Sequence, residues 1–136
     1  MSFNILMVDD SKVTRMMIKR TIQLTGLPTG TVDEAENGEA GLQKMQANSN
    51  YDLIVADINM PVMTGIEMIT AMQQNDTLSK TPVVVISTEG STTRIEELRA
   101  LGVVGYIRKP FTPESVRDVL KQVLGDWEDE TGERTA

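Results

Sequence analysis

The sequence predicts an α/β fold: a three-layer, doubly wound sandwich around five parallel strands. Three observations lead there. Strand and helix signals alternate five times along 136 residues, the pattern of β/α crossover units. Two strand segments, Leu53-Ile54-Val55-Ala56 and Val83-Val84-Val85-Ile86, are apolar without interruption, as strands covered by helices on both faces should be. Finally, four apolar runs end in side chains with chemistry: Asp9-Asp10, Asp57, Ser87 and Lys109. In an open parallel sheet the carboxyl ends of the strands face one crevice, where ligands bind.

The first strand ends in Ile5-Leu6-Met7-Val8. Ser11 then caps a helix whose apolar face is read as Val13, Met16, Met17 and Leu24. Gly26 sits at the left-handed C-terminal cap, and Pro28 blocks continuation. Residues 31–36 form a second strand, polar enough for an edge. Asn37-Gly38 turns into a helix carrying Leu42 and Met45, which ends near Asn48-Ser49-Asn50. The third strand is 52–57. A loop from Ile58 to Thr64 leads to a helix with Ile66, Ile69 and Met72. Pro82 opens the fourth strand. The fourth helix carries Ile95, Leu98 and Leu101 and stops at Gly102. The fifth strand is about 103–108. Thr112 caps a last helix carrying Val116, Val119, Leu120, Val123 and Leu124, closed by Gly125.

Length and composition fit one globular domain over residues 1–125, followed by an acidic tail at 126–136. Net charge is −7, and the tail holds five acids against one base. Neither part suits nonspecific binding to nucleic acid or to an anionic membrane. The chain has no cysteine and no histidine, which excludes disulfides, thiolate metal sites and a histidyl phosphorelay of its own. With no signal peptide and no long apolar run, a cytoplasmic protein is expected. The tail contains the sole tryptophan, Trp127. Either the last helix runs slightly past Gly125 or Trp127 packs on a neighbouring surface, at the far end of that helix from the Lys109 loop.

Singly, each polar strand-end residue has an ordinary reading. Asp10 or Ser11 caps a helix, Asp57 solvates a strand end, Ser87 and Thr88 belong to a turn, and Lys109 is a surface lysine. Their shared position argues for more. Three carboxylates in one crevice repel one another and attract a cation. Hard oxygen ligands without histidine or thiolate suit Mg²⁺, which shares its shell with water and phosphate. A lysine supplies fixed positive charge for a phosphoryl oxygen, and a carboxylate can attack phosphorus.

With Met60-Pro61 and Gly65 after Asp57, Thr88 after Ser87, Tyr106, and Pro110 after Lys109, the chain resembles the receiver domains of two-component response regulators. The likeness spans residues 4–124, and the length is close to that of single-domain CheY-like members. The resemblance implies a flavodoxin-like strand order of 2-1-3-4-5. It implies Asp57 as phosphoacceptor, and Mg²⁺ (or Mn²⁺ in its place) held by Asp10, Asp57 and the Asn59 backbone carbonyl. Asp9 would act mainly through bridging water. Ser87 and Lys109 would bind the phosphoryl group, with Lys109–Pro110 a cis peptide. Ser87 and Tyr106 would form the switch, although many relatives carry threonine where this chain has Ser87. Asn59 and Glu89 would tune hydrolysis.

The implied function is a phosphorylation-controlled binding switch in chemotaxis or motility, with a histidine kinase as donor. The output protein would dock on the fourth helix, fifth strand and fifth helix. The flagellar motor switch is one candidate, and a phosphatase is a further partner. Phosphate sinks and relays are alternatives within the family. A phosphohydrolase using an aspartyl phosphate is a competing class, but its second acid would fall at Asn59, which cannot shuttle protons. A flavin-phosphate binder is weaker still, because Asp9-Asp10 would repel phosphate without a metal.

Overall fold

A computed structural model describes residues 2–88 and 91–127. The elements are β1 Phe3–Val8, α1 Lys12–Leu24, β2 Thr29–Ala35, α2 Gly38–Ala47, β3 Leu53–Ala56, α3 Gly65–Gln73, β4 Val83–Ser87, α4 Thr92–Ala100, β5 Gly105–Arg108 and α5 Pro113–Leu124. A 3-10 turn at Leu78–Lys80 precedes β4. All strand pairs are parallel, in the order β2-β1-β3-β4-β5. The fold class and strand order are those expected.

Strand side chains alternate between faces, so each strand feeds two cores. Leu6, Val8, Ile54, Ala56, Val83 and Val85 face one layer, with Met45 of α2, Met68, Ile69 and Met72 of α3, and Leu98 of α4. Ile5, Met7, Leu53, Val55, Val84 and Ile86 face the other, with Ile18 and Ile22 of α1 and Val116 and Leu120 of α5. The uninterrupted apolar strands β3 and β4 are buried at every position. Helices begin where side chains satisfy free backbone N–H groups. Ser11, Asn37, Thr64, Ser91 and Thr112 all cap, and Thr64 and Thr112 form reciprocal boxes with Glu67 and Ser115.

Two expectations change. The face read for α1 is the wrong one: Val13, Met16, Met17 and Leu24 are the exposed side chains, and Ile18 and Ile22 pack on the sheet. The helix carries two apolar stripes, and the buried one continues through Arg15, whose guanidinium is tied to Asp9, just after β1, and to Glu34 of β2. β2 also starts two residues earlier than read, where Thr31 N–H donates to the Asn4 side chain across the β1 edge.

The last helix ends at Leu124, and Gly125 takes φ +81°. Trp127 then folds back into the layer shared by α1 and α5 and is 4% exposed. Helices here run antiparallel to the strands, so Trp127 lies at the amino-terminal end of the sheet, away from the Lys109 loop. The packed body thus reaches past the boundary expected at residue 125. Tail residues 128–136 lie outside the described residues.

Candidate functional site

Each strand end is locked to its neighbour before any side chain contributes. Asp9 N–H donates to the Ala35 carbonyl at 3.0 Å, Asp57 N–H to Val8 at 2.9 Å, and Lys109 N–H to Ser87 at 2.9 Å. These bonds bring residues far apart in sequence to one edge of the sheet. There, ligand atoms of Asp9, Asp10 and Asp57 all lie within 4.8 Å of one another. The cluster is graded in exposure: Asp9 is buried, Asp57 half-buried and Asp10 exposed.

Lys109 is the cation of the group. Its Nζ lies 3.3 Å from Asp9 Oδ2 and 3.5 Å from Asp57 Oδ2. Asp9 Oδ1 accepts from Ser11 N–H at 2.9 Å, so both Asp9 oxygens are engaged inside the protein. Asp57 Oδ1 accepts from Ile58 N–H at 2.7 Å. Burial pushes the Asp9 carboxyl above its usual range, and the Asp57 charge pushes the same way. Ser11 N–H and the Lys109 ammonium pull against that rise. Removal from water thus outweighs one lysine, and a hard divalent cation fits the donor set.

Ser87 is fully buried at the end of β4, paired in register with Arg108 beside Lys109. Asn59 is exposed in the loop after β3. Tyr106 of β5 has its hydroxyl enclosed and lines a cavity between α4 and α5 with Ile95, Leu98, Val103 and Val119. The Lys109–Pro110 peptide is cis. Glu89 lies outside the described residues.

Two further features, and the physical reason for a third residue already noted by likeness (Gly65), were not read from the sequence. Arg15 of α1 donates from Nη1 to the Asp9 carbonyl at 2.5 Å and from Nε to Glu34 Oε1 at 2.8 Å. Gly65 is sterically required, since a Cβ there would stand 2.2 Å from the Asp57 carbonyl oxygen. In the same loop Val62 adopts φ +68°, a region that β-branched residues rarely enter.

Comparison with known proteins agrees with this architecture. The family model described as response regulator receiver domain matches residues 5–121. The chain is 35% identical over 121 residues to the chemotaxis protein CheY1 of Helicobacter pylori, covering 89% of this chain and 96% of that protein. It is 34% identical over 120 residues to the chemotaxis protein CheY of Pseudomonas aeruginosa, covering 88% and 94%. Among solved structures, the chemotaxis response regulator CheY4 of Vibrio cholerae superposes with a TM-score of 0.79 at 36% identity, covering 90% of this chain and 99% of that one. A CheY in the CheX-CheY-BeF3-Mg complex from Borrelia burgdorferi gives a TM-score of 0.82 at 28% identity, covering 90% and 89%. The chain belongs to the response regulator receiver domain family, among its CheY-like members, and works in two-component signalling.

Proposed function

We propose that Asp57 accepts a phosphoryl group from a histidine kinase and that this event resets a partner-binding face. The observation behind this reading is the Lys109 ammonium, placed between a buried carboxylate and a half-buried one at the carboxyl edge of the sheet. Asp57 is the member of the cluster that can act as nucleophile. One of its oxygens is oriented by Ile58 N–H and the other faces Lys109. Asp10, Asp57 and the Asn59 carbonyl would hold Mg²⁺, with Asp9 acting through water. The metal would neutralise charge on the transferring phosphoryl oxygens. Lys109 and the Ser87 hydroxyl then bind the new phosphoryl group, and no other enzymatic turnover is required of the chain.

Ser87 and Tyr106 sit on adjacent strands, which connects the phosphoryl site to the cavity between α4 and α5. That face is the proposed docking site for an output protein. Likeness to chemotaxis CheY proteins supports a role in motility, with the flagellar motor switch as the target. The Borrelia complex supports a CheX-type phosphatase as a further partner. Asn59 and Glu89 are proposed to set the rate of hydrolysis.

Beryllofluoride, a phosphoryl mimic, tests the switch. With Mg²⁺ it should shift amide resonances around Asp57 and also at Tyr106 and along α4 and α5. The same additions should leave Asp57→Asn unchanged. Shifts confined to the acidic pocket would overturn the proposed switch.

A further inference from the structure

Asp10 is the exposed member of the acidic cluster, and the strand-end bonds made by Asp9, Asp57 and Lys109 do not hold it directly. Its placement depends on the peptide that precedes it and on the start of α1 that follows. The Asp9 carbonyl accepts from the Arg15 guanidinium at 2.5 Å. The Ser11 carbonyl accepts from the Arg15 backbone N–H at 3.0 Å. The second bond is the first backbone bond of α1 and needs no particular side chain, so it is the guanidinium on the Asp9 carbonyl that holds the peptide leading into Asp10. We propose that Arg15, oriented by Glu34, is a positioning residue that aims the Asp10 carboxylate at the metal.

The guanidinium is suited to this. Its side chain is 14% exposed, and its Nε is held by Glu34 Oε1 at 2.8 Å. Glu34 is anchored in turn, because Lys44 Nζ donates to its backbone carbonyl. A planar fork with two donors in fixed geometry can hold the side chain of β2 and the backbone carbonyl after β1 together, which a single ammonium cannot do. Outer partners that orient metal ligands commonly change metal affinity by about 10–100-fold when removed.

Charge alone predicts the opposite sign. Arg15 is a fixed positive charge near three carboxylates, so deleting it should strengthen cation binding. Positioning predicts weaker binding, and charge-preserving Arg15→Lys separates the two most cleanly. The proposal rests on Mg²⁺ binding at the acidic cluster.

Isothermal titration of the full chain with Mg²⁺ at constant ionic strength tests it, with urea unfolding of the metal-free protein alongside. Arg15→Ala and Arg15→Lys should each bind Mg²⁺ about tenfold more weakly. Adding Glu34→Ala to Arg15→Ala should weaken binding no further, because Glu34 acts through the guanidinium. If Arg15→Ala fails to fold, Arg15→Lys carries the test. Binding as tight as wild type, or tighter, in Arg15→Lys would overturn the positioning role. A further loss in the double variant would overturn the coupling to Glu34. Absence of saturable binding in wild type would overturn the metal reading itself, and the positioning role with it.

Discussion

Lys109 Nζ lies 3.5 Å from Asp57 Oδ2, a contact made across 52 residues of sequence between the ends of β5 and β3, with β4 between them. The same ammonium sits 3.3 Å from buried Asp9, so it balances two carboxylates at once. Lys109→Met should lower the stability of the metal-free protein by about 1.5–3 kcal/mol, the scale of a hydrogen bond to a charged group. Mg²⁺ should restore much of that loss. Urea unfolding with and without Mg²⁺ measures both, and equal stability of variant and wild type without metal would count against the balancing role.

Asp9→Asn should have the reverse effect on the metal-free fold. Burial opposes the Asp9 charge, and a neutral amide oxygen can still accept from Ser11 N–H. The variant should unfold at higher urea than wild type at pH 7 while binding Mg²⁺ less tightly. Asp10→Asn should lose more Mg²⁺ affinity than Asp9→Asn, because both Asp9 oxygens already have partners within the protein. Titration calorimetry on the two variants ranks them.

The loop between β3 and α3 makes a steric prediction. Val62 at φ +68° is 75% exposed, so its conformation is strained without compensating burial. Val62→Asn should stabilise the protein by about 1 kcal/mol, since asparagine tolerates the left-handed region. Gly65→Ala should destabilise by about 1–3 kcal/mol, as its Cβ would meet the Asp57 carbonyl at 2.2 Å. Thermal unfolding of the two variants should move in opposite directions.

Tyr51 gives a pH dependence away from the site. Its hydroxyl donates to Asp33 Oδ2 at 2.5 Å, and burial together with that carboxylate raises its pKa to about 12. The neutral phenol is favoured in the folded state relative to the unfolded one. Its contribution is complete below pH 10 and is lost as pH rises from there through about 12. Tyr51→Phe should remove this component, so its loss of stability across that window should be shallower than in wild type.

Much of the site was legible because charges ending apolar strands are conspicuous, and parallel topology sends those ends to one edge. Asp9, Asp10, Asp57 and Lys109 needed no more than that. The buried face of α1 was not legible, because Met16, Met17 and Ile18 are consecutive apolar residues and periodicity does not choose between them. Tertiary ties do: Arg15 reaches Glu34, 19 residues away on β2, and that turns Ile18 and Ile22 inward. Gly65 stood out in the sequence only by likeness. Its physical reason, close approach to the Asp57 carbonyl, exists once the loop has closed. For Trp127 the sequence left two options, a longer last helix or packing on a neighbouring surface; the helix stops at Leu124 and the backbone turn at Gly125 carries the indole into the core.

Asp57 as the sole phosphoacceptor is tested most directly by intact-mass spectrometry after treatment with acetyl phosphate and Mg²⁺. Wild type should gain the mass of one phosphoryl group, and the gain should vanish when Mg²⁺ is chelated. Asp57→Asn should gain none under the same conditions. Labelling of Asp57→Asn at the wild-type level would contradict the assignment and move the chemistry to another carboxylate.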